Sequence, residues 1–402
     1  MRILHTADWH LNDRLGRIDR TADLRTAVER IAGYCLTEKI DTLLIAGDLF
    51  SELARPDALR ETVRHWRDQF SPFLARGGSI LAVTGNHDSE TFCQTLRHAM
   101  SLAGGEPLDG QLQPGRFFLA TRPTYLKLGD VQFVLMPWPT ASQYPDAILG
   151  AETPEEKTRR HSEAFRNALE SQPLEPNWPA VLVAHINVGG ASVGPGAFRL
   201  SEQENVTIAA DILANRFCYA ALGHVHKSQS PGGFEHVRYS GSIERMDLGE
   251  QHDVKSCTVV TVGPKGLIGK PELLPLPATN IYPVVIADPD ADFERLKEEL
   301  PDAANDLVQL TIRYEAGRHR LEEILSESAK LFPRWYARDW KEVTALGPSL
   351  VAAGVAANEP DRTKGFAETV REYLAQELIQ LSEADRALLL AKVEEFLQAE
   401  AA

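Results

Sequence analysis

The amino-acid sequence predicts an α/β protein in which two sheets are flanked by helices, followed by a small α+β unit and C-terminal helices. Three observations lead there. Near-continuous apolar runs such as Thr42-Leu43-Leu44-Ile45-Ala46 suit strands buried on both faces of a sheet. As far as Leu102 these runs alternate with stretches of helical periodicity, the pattern of βα units. From Phe117 to Met136 the alternation stops and strands follow one another directly, which calls for a second sheet.

Taken in order, Arg2 to Ala7 reads as the first strand. Thr21 to Glu38 reads as a helix with Leu24, Ala27, Val28, Ile31, Ala32 and Cys35 on one face. After the Thr42 strand, residues 56–75 give a second helix, 79–84 a third strand, and Glu90 to Leu102 a third helix. Tyr125 to Leu128 and Val131 to Leu135 pair about Gly129-Asp130, a hairpin turn. Residues 155–170 read as helical, and the runs starting at Val181, Tyr219 and Cys257 return to the apolar strand type. Pro271, Pro275 and Pro277 mark the end of a first domain placed at 1–275. A small α+β unit at 276–345 follows: a strand from Tyr282, a helix from Asp290, an alternating strand from Leu307, a helix from Arg320 and a last strand from Trp335. Residues 346–362, rich in Gly, Ala and Pro, read as a linker. Residues 363–402 read as amphipathic helices, with Phe366, Val370, Tyr373 and Leu374 on one apolar face and Leu389, Val393 and Phe396 on another.

At 402 residues, 43% hydrophobic and 25% charged, the composition is that of a soluble globular protein with room for two or three full cores. No window approaches the apolar length of a membrane span. Arg2 to Ala7 runs into Asp8 without the apolar region of a signal peptide. The expected location is the cytoplasm, with no membrane partner. Cys35, Cys93, Cys218 and Cys257 lie far apart and read as reduced, buried thiols rather than a zinc or disulfide framework. A net charge of −15 argues against a simple nucleic-acid binder. Bound divalent cations and local basic patches would soften that argument.

The polar residues that stand out all follow strands. They are Asp8 and His10, Gly47-Asp48, Gly85-Asn86-His87-Asp88, His185, and Gly223-His224-Val225-His226. Ligands in open α/β sheets bind beyond the carboxyl ends of strands. A lone His or Asp at such a place is more often a cap, and His5, His65, His98, His161, His236, His252 and His319 are read that way. Seven coincident donors (Asp8, His10, Asp48, Asn86, His185, His224, His226) exceed what one tetrahedral ion needs and suit two ions bridged by Asp48. Mixed carboxylate, imidazole and amide oxygen fits Mn²⁺, Fe²⁺ or Zn²⁺ better than Ca²⁺ or Mg²⁺. Such ion pairs, roughly 3.5–4 Å apart, clamp the attacking and leaving oxygens of phosphoryl transfer.

This set, in this order, resembles the motifs of the calcineurin-like metallophosphoesterase superfamily. Met1 to Leu11, Ala46 to Phe50 and His236 to Ser242 are similar to its nuclease branch, the SbcD-type subunits of SbcCD DNA repair nucleases. The resemblance covers residues 1–245 and implies a two-sheet metallophosphoesterase sandwich with metal-dependent phosphodiesterase activity, as a DNA exonuclease and endonuclease. It implies two divalent ions, Mn²⁺ foremost, one held by Asp8, His10, Asp48 and His226 and the other by Asp48, Asn86, His185 and His224. A hydroxide bridging them would attack phosphorus, and His87, oriented by Asp88, would contact the phosphate or protonate the leaving oxygen. It further implies DNA as substrate, an SbcC-like ATPase as partner, and a homodimer. The unit at 276–345 would be a DNA-capping domain, and the helices at 363–402 would dock on the ATPase. Asn12-Asp13 and Ser51 depart from that pattern at positions that are not ligands.

Three alternatives stay open at this level. Arg334 to Lys341 interleaves basic and aromatic residues as nucleic-acid surfaces do, but equally fits a strand whose aromatics pack inward. The tail helices equally fit a pair folded on the protein's own surface. The activity could fall on a small phosphodiester or nucleotide; a non-catalytic scaffold on the same fold would be expected to lose ligands, and none is missing.

Overall fold

The computed structural model describes residues 1–52, 54–104, 110–140, 142–144, 153–192, 206–301 and 303–343. The linker and helices expected from 346 onward lie outside the described residues. In chain order, β1 (Arg2–Thr6) is followed by a short hairpin, β2 (Arg14–Leu15) and β3 (Ile18–Asp19), and by α1 (Thr21–Thr37). β4 (Thr42–Ala46), α2 (Pro56–Ala75), β5 (Ser79–Val83) and α3 (Glu90–Gly104) repeat the βα pattern. β6 (Phe117–Ala120), β7 (Thr124–Leu128) and β8 (Val131–Met136) run on directly, and α4 (Pro154–Glu170) precedes β9 (Ala180–His185). The short β10 (Asn187–Val188) and β11 (Thr207–Ile208) and helix α5 (Ala210–Arg216) precede β12 (Tyr219–Gly223). β13 (Val237–Tyr239), β14 (Ser256–Gly263) and β15 (Gly266–Pro275) complete the larger part.

Parallel β1, β4, β5 and β6 form one sheet, extended beyond β1 by antiparallel β14 and β15. The other sheet runs β13-β12-β9-β8-β7, with only β7 antiparallel to its neighbour. Alternate strand residues point to opposite faces, so the apolar runs serve two cores at once. Leu4, Leu43 and Ile45 pack against Leu24, Val28, Phe70 and Phe73 of α1 and α2. Ile3, Leu44 and Leu81 face Leu126, Phe133, Val181 and Tyr219 of the second sheet. Beyond that sheet, Val134 and Leu182 meet Phe165 and Leu169 of α4 and Leu213 of α5. The result is a helix–sheet–sheet–helix sandwich. Pro271, read from sequence as a boundary marker, lies inside β15. Its missing donor is harmless because β15 is the last strand of its sheet.

The small unit is β16 (Ile281–Ile286), α6 (Pro289–Glu299), β17 (Leu307–Tyr314), α7 (Leu321–Leu331) and β18 (Trp335–Glu342). Its three strands are parallel, in the order β16-β17-β18, and the two helices are the crossovers between them. Val284, Leu310 and Ile312 bury against Phe293, Ile324 and Phe332. Of the basic–aromatic stretch, Arg334 pairs with Asp23, and Arg17 and Arg338 both lie over the Trp335 ring, at 4.4 and 4.3 Å. These contacts favour the packed reading for that part of the stretch, while Trp340 is 52% exposed.

One polar tie crosses the apolar layer between the sheets. His5 on β1 accepts at Nδ1 from the Tyr219 hydroxyl (2.9 Å) and donates from Nε2 to the Leu222 carbonyl (3.2 Å), both on β12. Burial pushes its imidazole down to about 3 from 6.5. The unfolded chain therefore binds a proton that the folded chain refuses, and stability falls as pH drops from 6.5 towards 3. By about pH 5 this one group costs about 2 kcal/mol. Denaturant unfolding of His5→Gln across this range should show a shallower loss of stability with acid than wild type. Equal slopes would show that His5 titrates normally.

Candidate metal centre

Each candidate side chain stands where a strand ends. Asp8 and His10 follow β1, Asp48 follows β4, and Asn86 to Asp88 follow β5; His185 closes β9, and His224 and His226 follow β12. β1, β4 and β5 are parallel neighbours in one sheet, as β9 and β12 are in the other. The two sheets thus bring five carboxyl ends to one place. The backbone there is strained: six described non-glycine residues have positive φ, and four of them are Asp8 (54°), His10 (43°), Asp48 (52°) and His224 (100°). Each such residue costs on the order of 1–3 kcal/mol, a strain that concentrates at functional sites. Glycine lets the turns close. A Cβ on Gly85 would run into the Asp48 carboxylate and backbone nitrogen, and one on Gly223 into the Ala46 carbonyl.

The donor atoms fall into two overlapping groups. Asp8, His10 and His226 bring ligand atoms within 4.8 Å of one another, and so do Asp8, Asp48 and His185. His10 Nε2 is 3.2 Å from His226 Nε2 and 3.6 Å from Asp48 Oδ2. His185 Nε2 is 2.9 Å from Asn86 Oδ1 and 3.3 Å from Asp48 Oδ2, and His224 Nδ1 is 3.1 Å from the same Asn86 oxygen. His185 Nδ1 donates to the Ala46 carbonyl (2.8 Å), so in the neutral ring the Nε2 lone pair faces two oxygens. Such a convergence is repulsive unless a proton or cation lies within it. Asp8 Oδ2 and His224 Nε2 are buried without a hydrogen-bond partner. These residues fit divalent metal.

Charge perturbation follows the same logic. Burial pushes the His10 and His224 imidazoles down to about 3. Burial would lower His185 as well, but the Asp48 and Asp8 carboxylates push it up to about 9. Burial pushes Asp8 up, against His185 and His226. Burial would raise Asp48 too, yet His185 and His10 hold it well below the usual carboxylate range. Two carboxylates sharing one buried volume separate in this way.

His87 lies at the rim, its side chain 19% exposed and its ring 5.1 Å from that of His10. The expectation that Asp88 orients it is corrected. Asp88 Oδ2 accepts from the Gly85 and Leu49 amides (2.8 and 3.1 Å), and Oδ1 accepts from the Phe50 amide (2.9 Å). Three converging backbone donors outcompete an imidazole on the outer side of the loop, so Asp88 ties the β5 loop to the β4 loop. Burial and the Asp48 charge push its carboxyl up to about 7. The acid facing His87 is Glu52, with Oε2 3.7 Å from Nδ1.

Sequence reasoning missed two neighbours. Trp138 stacks on His224 (4.8 Å, 29°) and stands edge-on to His185 (6.0 Å). Glu250 Oε1 accepts from His226 Nδ1 at 2.7 Å. The positions that depart from the resemblance accommodate one another: Ser51 Oγ donates to Asp13 Oδ1 (3.1 Å), and Asn12 takes the positive φ (71°) that asparagine tolerates. A third acidic group, Asp288, Asp290 and His319, is no ligand set. His319 Nδ1 accepts from the Glu315 amide, leaving the proton on Nε2, and Arg318 pairs with Asp290.

Residues 1–228 match the family described as calcineurin-like phosphoesterase. The chain is similar to the D subunit of the SbcCD nuclease of Bacillus subtilis (strain 168), 28% identical over 277 residues, 66% of this chain and 67% of that one. The protein of the same name from Rhodobacter capsulatus is 28% identical over 279 residues, 63% of this chain and 65% of that one. That of Escherichia coli (strain K12) is 27% identical over 309 residues, 72% and 71%. The first two relatives are thus spanned over about two thirds of their length.

The close approach at Gly85 is open to a direct test. Gly85→Ala should drive Asp48 from its place between His10 and His185, and bound divalent metal measured by elemental analysis should fall. Unchanged metal content would show that the placement of Asp48 does not govern binding.

Proposed function

Because the chain belongs to the calcineurin-like phosphoesterase family, we propose that it hydrolyses DNA phosphodiester bonds as the nuclease subunit of an SbcCD-like double-strand break repair complex. It is a metal-dependent phosphoesterase by family. The observation that carries the finer reading is the convergence of seven donors from two sheets, with Asp8 Oδ2 and His224 Nε2 buried and unpartnered. Asp8, His10, Asp48 and His226 would hold one ion, and Asp48, Asn86, His185 and His224 the other, with Mn²⁺ suited to this mixed set. Bound there, the ions would supply Lewis-acid polarisation of the phosphoryl group and a water of lowered pKa.

The chain's own residues would do the rest. Asp48, gripped by the His87 amide through Oδ1 (2.9 Å), stays fixed between His10 and His185. His87, at the accessible rim, would contact the phosphate or give a proton to the leaving oxygen. Asp88 would act at a distance, by holding two ligand loops together. Residues 1–275 form the nuclease domain in this reading, 276–345 a DNA-capping domain, and 363–402 the segment that meets an SbcC-like ATPase. The names of the similar nucleases support DNA over a small phosphodiester.

Labelled linear duplex and hairpin DNA, set against a generic phosphodiester ester in Mn²⁺, test the reading, alone and with the ATPase partner. Wild type should cut DNA and Asp48→Asn should not. Ester cleavage with no DNA cleavage in either setting would overturn it. His87→Gln should keep both ions and lose hydrolysis by about 10²–10⁴-fold; full activity would remove His87 from the chemistry.

A further inference from the structure

We infer that Glu250 is a positioning residue that sets the affinity of the ion held by Asp8, His10, Asp48 and His226. This rests on the two-ion reading above. The stretch around Glu250 belongs to none of the strand-end motifs, yet it grips His226 at two points. Glu250 Oε1 accepts from Nδ1 of the ring at 2.7 Å. Lys255 Nζ donates to the His226 carbonyl at 3.1 Å. An ionised carboxylate only accepts, so Nδ1 carries the proton and the Nε2 lone pair is turned towards His10 Nε2 and the Asp8 group.

The carboxylate has no freedom to leave. Its Oε2 accepts from Lys255 Nζ and from the Met246 amide (3.2 Å), with Ser242 Oγ 3.1 Å away, all in a buried setting. Ser242 is in turn bound by Lys255 (2.9 Å). The segment is tied down at its other end. Glu244 accepts from the Thr279 amide (2.8 Å) and hydroxyl (2.7 Å), and Arg245 donates to the Ala278 and Thr279 carbonyls. Glu250 is therefore presented by a braced loop, which preorganises the imidazole. A role as mere counter-ion to Lys255 would need only Oε2, whereas Oε1 is committed to the ligand ring. Glu250 is not itself a ligand, since it meets His226 at Nδ1, away from the donor cluster. A carboxylate on the far nitrogen of a ligating histidine fixes its tautomer and raises its basicity, and loss of such a partner costs about 10- to 100-fold in metal affinity.

Mn²⁺ titration of the full chain, followed by calorimetry, reads this without relying on activity. Wild type should show two sites. Glu250→Gln, which removes the charge, and Glu250→Asp, which keeps a counter-charge for Lys255 but withdraws from the ring, should each weaken one site about 10- to 100-fold and leave the other unchanged. Unfolding of the metal-free variants near the wild-type temperature would place the effect at the site. Wild-type affinity at both sites in both variants would overturn the inference and leave the two-ion reading standing. Equal weakening of both sites with a lowered metal-free unfolding temperature would also overturn it, as a general structural loss. A wild-type chain that binds no Mn²⁺ would overturn both.

Discussion

Burial of like charge is the constraint on which this structure turns. Asp8 and Asp48 lie fully within the protein, with His10, His185, His224 and His226 around them. Ionised groups out of water cost several kcal/mol each unless paired. Within the cluster the pairing is incomplete: one carboxylate is pushed up and the other down, and two donor atoms lack partners. Divalent cations held among these donors would relieve the conflicts together, whereas protons relieve them one group at a time. Left-handed backbone at four of the donors is tolerated because the sandwich behind them is packed on both faces of each sheet.

The scaffold explains why the conflict can be sustained. Strands of one sheet carry Asp8, Asp48 and Asn86, and strands of the other carry His185 and His224, so no single loop could relax and release the cluster. Cross-links make the two halves one object. The His224 amide donates to Asp8 Oδ1 (2.9 Å), His185 Nδ1 to the Ala46 carbonyl, and His5 joins the sheets one turn of chain earlier. Asp88 and Glu250 play parallel parts, each an acid committed to amides or an imidazole nitrogen.

Much of this was legible in the sequence because the information is local. A buried strand announces itself as an apolar run, and a donor directly after it has its location given by the strand. That reasoning placed Asp8, His10, Asp48, Asn86, His185, His224 and His226 at strand ends, where the structure brings them together. It failed where direction depends on a neighbour far along the chain. Asp88 follows His87 in sequence, yet the amides of Leu49 and Phe50 decide where it points. Glu250 and Trp138 carry no local pattern, because each is one residue meeting a histidine from another segment. Pro271 was misread because only the sheet order reveals that β15 is an edge.

Net charge misleads for a related reason. A phosphodiester brings negative charge to a chain whose formal charge is −15 and whose centre holds two carboxylates. Summed over the whole surface, that balance would repel it. The local sum would differ in sign: the two divalent ions proposed above would bring four positive charges, against two negative charges from the aspartates. The acidic residues that lower the net charge at the centre would therefore be the ones that let it turn positive, with metal ligation rather than total charge deciding what the site attracts.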